Sequence, residues 1–66
     1  MSKIKELRIK AGLTQVELAN KLGIKQPSVA SWEINPNRKP NTKYVPKLAR
    51  IFKCNVGQLY QLLYGE

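Results

Sequence analysis

The sequence predicts an all-α domain of five short helices, and three observations carry that reading. Apolar residues recur at three- and four-residue spacing in successive stretches, Gly, Pro or Asn punctuates the chain between them, and no stretch alternates with the period of two that a half-buried strand needs. With 66 residues, of which 42% are apolar, the chain holds enough for one core and not for a second, so residues 1–66 are expected to form one domain. Neither repeats nor low-complexity segments interrupt it.

The first helix spans Lys3 to Lys10, with Ile4, Leu7 and, one turn on, Ala11 along one stripe, and Gly12 stops it. Thr14 opens the second helix. Glu17, three positions later, completes a capping box in which the Thr14 hydroxyl accepts from the backbone while the Glu17 carboxylate reaches back. Val16, Ala19 and Leu22 are expected to form its buried face with Leu18 beside them, and Gly23 to end it in a left-handed conformation. A third helix starts near Gln26, with Pro27 in the first turn, where a missing N–H costs nothing.

Residues 34–41 read as a loop, because Asn35 tolerates left-handed geometry at a helix end and two prolines forbid continuation. The fourth helix is expected from about Thr42 to Lys53, with Val45, Leu48, Ala49 and Phe52 inward; Pro46 suggests that it truly begins near Tyr44. Asn55 caps the fifth, in which Val56, Leu59, Tyr60 and Leu63 recur at helical spacing.

Residues 14–34 thus form two short helices broken by one glycine, a helix-turn-helix pattern whose second helix is built to enter a major groove. Taking Val29 as the inward reference at about 100° per residue, Trp32 and Glu33 share its side, Pro27, Ser31 and Ile34 point outward, and Ala30 lies at the edge. That outward face is small and uncharged, so it can approach base edges closely. Trp32, on the side of Val29, reads as core.

Charge points the same way. Twelve Lys and Arg against four acids give a net +8, which draws polyanions, nucleic acid first among them. Catalysis has little to work with: there is no His, and the single Cys54 lies in an apolar setting that suits a small buried hydrophobe. No enzyme activity, metal site or cofactor is therefore expected, nor an intrachain disulfide. No run approaches the ~20 apolar residues of a membrane span, and no signal peptide is legible, so a cytoplasmic location is the expectation.

Leu7-Arg8, Gly12-Leu13-Thr14-Gln15, Glu17-Leu18-Ala19, Leu22-Gly23-Ile24, Trp32-Glu33, Pro40 and Leu48-Ala49 fall in the order and spacing of one known family. Together they resemble the phage-repressor/Cro (Xre-type) helix-turn-helix family over nearly the whole chain. The resemblance implies a compact five-helix, lambda-repressor-like DNA-binding domain. It also implies that Gln26 is the first base reader, with Ser31 a second reading position and Lys25 reaching a phosphate or a guanine. Gln15 would meet a phosphate at the start of the second helix and brace the recognition helix. Arg8 and Glu33 match a family ion pair between the first and third helices.

Other readings stay open for several of these residues. Gln26 also fits an ordinary polar cap, and Ser31 is short for a reader. Arg38, Lys39 and Lys43 follow the recognition helix as phosphate clamps or simply as a solvated loop. Three departures from the family pattern stand out. Pro27 replaces a common base reader, leaving its ring or Ala30 to pack on a thymine methyl; Lys53 stands where Gly is preferred; and Ile34-Asn35 replaces the usual Xaa-Gly ending.

Binding of double-stranded DNA at a palindromic operator, with repression by blocking polymerase, is the function these features imply. One small domain discriminates poorly, so a homodimer is expected. The apolar residues of the last helix span roughly 200°, more than one core contact consumes, which nominates Tyr60, Leu63 and Tyr64 as the dimer surface. The alternative is that the excess simply wraps a small core. A small-molecule substrate is not expected. An antitoxin or restriction controller, or an adaptor that reuses the fold without DNA, remain alternatives at this level.

Overall fold

The computed structural model describes residues 2–35 and 37–65. They form α1 (Lys3–Lys10), α2 (Gln15–Leu22), α3 (Gln26–Ile34), a 3-10 turn (Thr42–Tyr44), α4 (Val45–Phe52) and α5 (Val56–Tyr64), with no strand among the described residues. The architecture is all-α with five helices, as the apolar spacing predicts.

Local chemistry fixes each boundary. Ser2 caps α1 by accepting from the Lys5 N–H at 3.0 Å. At α2 both halves of the capping box are made: Glu17 N–H donates to Thr14 Oγ1 at 3.1 Å, and Thr14 N–H donates to Glu17 Oε1 at 2.9 Å. Gly23 ends α2 at φ 71°, a backbone region that costs glycine little. The same geometry recurs at the end of α4 on a side chain that does not favour it, for Lys53 sits at φ 56°, ψ 48°. Asn55 caps α5 through bonds from Gly57 and Gln58 N–H.

Ten of the described residues make the core. Ile4 comes from α1, Leu18, Ala19 and Leu22 from α2, Val29 from α3, Val45, Leu48 and Ala49 from α4, and Leu59 and Leu63 from α5. Leu7, Leu13, Ile24, Trp32, Tyr44, Ile51, Phe52, Cys54 and Tyr64 pack around them, only partly buried. Trp32 meets Tyr44 with ring centroids 6.0 Å apart, which joins α3 to the turn before α4.

Several expectations are corrected. Val16 does not belong to the buried face of α2; it is 54% exposed. Leu18, Ala19 and Leu22 set the inward direction, and at about 100° per residue Val16 lies more than a quarter-turn from it. Ala11 is exposed because it caps α1 instead of continuing its stripe. Asn35 is extended (φ −102°, ψ 111°), not left-handed. Its side chain is used in a turn, accepting from the Asn37 N–H at 3.0 Å, while its carbonyl accepts from the Arg38 N–H. Phe52 and Cys54 are half-buried, not interior. The fourth helix is divided, with the 3-10 turn over Thr42–Tyr44 and Pro46 in the first turn of α4.

Candidate nucleic-acid interface

The site is assembled from the start of α2, the outward side of α3 and the segment 37–43. A chain of polar contacts sets the position of α3. The Glu33 side chain is 3% exposed and the Arg8 side chain 12%. Arg8 Nε donates to Glu33 Oε2 at 2.7 Å and Nη2 donates to Oε1 at 3.2 Å, a two-pronged pairing that fixes angle as well as distance. The third guanidinium nitrogen donates to the Leu13 carbonyl at 2.8 Å, which ties the loop before α2 into the same network. No buried side-chain polar atom among the described residues is left without a partner.

The network continues outward. Gln15 Nε2 donates to Glu33 Oε1 at 3.0 Å, and Gln26 Nε2 donates to Gln15 Oε1 at 2.6 Å. Gln15 is thus held from both sides, and it holds Gln26 in turn. An amide nitrogen carries two hydrogens and the amide oxygen two lone pairs. With one hydrogen given to Gln15, Gln26 keeps an oxygen and the second hydrogen, the pair an adenine edge needs. Lys25, not Gln26, is the N-cap of α3, and it makes no side-chain cap bond.

On α3, Pro27 and Ser28 are exposed, Ala30 and Ser31 are half-buried, and Ile34 is 79% exposed. Ser31 therefore protrudes less than its helical angle implies. Ile34 is the residue that sequence reasoning left out of the site although it set it on the outward face. A large apolar side chain that open to water on a candidate reading face suits a thymine methyl or a sugar. Its signal in the sequence was its angle, shared with Pro27 and Ser31.

The basic residues flank this face. Lys25, Arg38, Lys39 and Lys43 are all exposed. Lys43 Nζ lies 5.3 Å from the centre of the Tyr44 ring, a cation–π contact that restricts the side chain without neutralising it. The segment is pinned at Pro40, which is buried and whose carbonyl accepts from the Tyr64 hydroxyl. Arg38 and Lys39 also border a cleft beside Trp32 that Lys3 of α1 shares, which adds one cation from a part of the chain not expected in the site.

The patch nominated for pairing needs one correction. Leu63 is 6% exposed and part of the core, because Leu59 and Leu63 supply the inward stripe of α5. Tyr60 remains 47% exposed and Tyr64 half-buried, with their ring centroids 4.9 Å apart. Val56, also 48% exposed, extends that stripe by a turn. Burial, and secondarily the neighbouring Tyr60, raises the Tyr64 phenol above its ordinary pKa. No cluster of metal-ligating side chains occurs among the described residues, and no helix among them is long and apolar enough to cross a membrane.

Fold and site together define a helix-turn-helix domain: α2 and α3 meet across Gly23, and α3 is buttressed from behind by α1. A family model described as helix-turn-helix matches residues 4–59. Two proteins of Archaeoglobus fulgidus, each named an uncharacterized HTH-type transcriptional regulator, are 32% and 30% identical to the chain over 59 residues. The match covers 89% of this chain and 83% and 82% of theirs. No solved structure matches. The chain belongs to the Xre-type helix-turn-helix family of DNA-binding regulators.

Proposed function

We propose that the protein is a sequence-specific regulator of transcription that binds double-stranded DNA with α3 in the major groove, and that it acts in the cytoplasm as a Cro-like repressor. The observation that carries this reading is the relay from Arg8 through Glu33 and Gln15 to Gln26. A relay of that kind spends three side chains on fixing one half-buried amide at the start of α3, which is what recognition of a base edge requires and a solvated surface does not. Gln26 is the reader; Pro27, Ala30, Ser31 and Ile34 supply close apolar and hydroxyl contact; Lys25 reaches a phosphate or a guanine at the edge of the groove. The Gln15 N–H at the start of α2, with Arg38, Lys39 and Lys43, clamps the phosphates.

The protein works as a homodimer on a palindromic site. Tyr60 and Tyr64 support this, forming an apolar stripe adjacent to the pinned Pro40. A palindromic site requires the two α3 helices of the dimer to lie on successive turns of the major groove, about 34 Å apart. Occupying such a site blocks polymerase, and repression needs no further surface.

Selection of binding sites from a random duplex pool tests the proposal. The expected result is an inverted repeat with half-sites about 10 base pairs apart, centre to centre. Recovery of no enriched sequence would overturn the reading of α3 as a reader, and enrichment of a single asymmetric half-site would overturn the dimer.

A further inference from the structure

The face formed by the outer side of α1, the end of α4 and Leu62 of α5 takes no part in the reading above. It carries an apolar trough. Leu7, Ile51, Phe52, Cys54 and Leu62 line an open hollow of about 530 Å³. Ile51 and Ala11 carry it on toward Leu13, and Leu7 and Leu62 carry it along α1 toward Lys3. None of the lining residues belongs to α3 or to the segment 37–43.

The edges of the trough are cationic. Lys3 and Lys10 border it on α1, Lys21 at the end of α2, and Arg50 and Lys53 at the end of α4, against Glu6 as the one acid among the lining residues. These side chains contribute to the net +8 of the chain; Lys3 also borders the cleft beside Trp32, whereas Lys10, Lys21, Arg50 and Lys53 line no hollow that α3 shares. Leu62, 44% exposed, is about 200° from Tyr60 around α5, so the trough and the tyrosine stripe are different surfaces.

Three occupants can be weighed by their chemistry. A second copy of the chain would bring two rims of like charge together, which opposes association. A nucleic-acid duplex answers the charge but offers no apolar surface for the floor. An amphipathic helix with an apolar stripe and acidic flanks answers both. About 14 helical residues span about 21 Å, so such a helix is no longer than the domain itself, whose extents are 25 × 23 × 21 Å. We infer that this trough is a docking groove for an acidic amphipathic helix of a protein partner, open while α3 is on DNA.

The test uses a fluorescent 14-residue peptide with Leu at helical i, i+3, i+4, i+7 spacing and Glu between, beside a scrambled peptide of the same composition. Anisotropy titrations are run on the full chain, alone and with a saturating duplex. The inference expects the striped peptide to bind at least about tenfold more tightly than the scrambled one, to weaken as salt is raised, and to leave the duplex bound. Leu62→Gln is expected to weaken peptide binding about tenfold with duplex affinity unchanged, and Lys10→Glu, at an exposed position on the rim, to weaken it several-fold. Equal binding of the two peptides, displacement of the duplex, or no effect of either substitution would overturn the inference. So would a homodimer, seen by sedimentation, that Leu62→Gln dissolves, because the occupant would then be a second copy. The peptide arm without DNA reads the groove even if no duplex binds, which keeps this outcome separate from failure of the proposed DNA binding.

Discussion

Removing the Glu33 carboxylate is the perturbation whose consequence the structure states most directly. The side chain is 3% exposed and accepts bonds from two Arg8 nitrogens and from Gln15. Glu33→Ala deletes all three and leaves a guanidinium that is only 12% exposed with the Leu13 carbonyl as its remaining partner. Breaking a buried pair from one side costs about 3–5 kcal/mol, and the slight exposure of Arg8 argues for the lower end, about 3 kcal/mol. A domain of this size has roughly 3–10 kcal/mol in total, so the loss is a large fraction of it. At about 4–8 °C per kcal/mol the melting temperature falls by roughly 12–24 °C. Urea unfolding followed by circular dichroism and by Trp32 fluorescence measures the change, and the cycle of Arg8→Met, Glu33→Leu and the double variant Arg8→Met/Glu33→Leu measures the coupling. With both charges gone, no group is stranded, so the double variant is expected to be more stable than Glu33→Ala by about 2 kcal/mol. A Glu33→Ala cost below about 1 kcal/mol, or a double variant as unstable as the sum of the singles, would refute the argument that this pair is coupled and sets the position of α3.

Other outcomes follow from single positions. Lys53→Gly relieves a side chain held at φ 56° and is expected to stabilise the domain by about 0.5–1 kcal/mol, read as a raised urea midpoint; a lowered midpoint would show that Lys53 makes a contact outweighing its strain. The Tyr64 phenol, whose pKa is raised in the fold, gives stability that is complete below the ordinary tyrosine pKa of about 10 and lost as pH climbs through the folded value. Unfolding midpoints of the wild type should accordingly fall more steeply at alkaline pH than those of Tyr64→Phe, and parallel curves would remove this role. Glu17 behaves in the opposite sense. Bonds from Thr14 hold its carboxyl below its usual range, so acidification through and below that range weakens the α2 cap in the wild type and not in Glu17→Gln, as midpoints between neutral pH and pH 3 would report. Phosphate clamping by Arg38, Lys39 and Lys43 in each half of a dimer predicts a slope of log affinity on log salt near −5 for random duplex, and a flat dependence would contradict it.

Helix boundaries were legible because their signals are local. A capping box, a left-handed Gly23 and an Asn55 cap each act within about one turn, and the sequence states them outright. The inward faces were legible in part. Period alone could not divide the apolar span of α5 among core, pairing surface and trough; packing against α4 and α1 buries Leu59 and Leu63 and leaves Val56, Tyr60 and Leu62 open. Val16 failed for a related reason, since one apolar residue beside three others looks like core until its angle is counted. Asn35 went astray because a side-chain turn competes with the left-handed ending and wins here. The contact between Gln15 and Gln26, eleven positions apart, is foreshadowed only by the family resemblance, which implies that Gln15 braces the recognition helix; no local pattern carries it, because it forms only where α2 and α3 cross. Each residue could be named a candidate from the chain, but the bond that links them is a tertiary fact.

The proposed reading of a base by Gln26, held in place by Gln15, is tested by the affinity of Gln26→Ala for the selected site and for random duplex. The expected loss is about 1–3 kcal/mol on the selected site, roughly 5- to 150-fold, with affinity for random duplex nearly unchanged. Equal losses on both, or none on either, would contradict it.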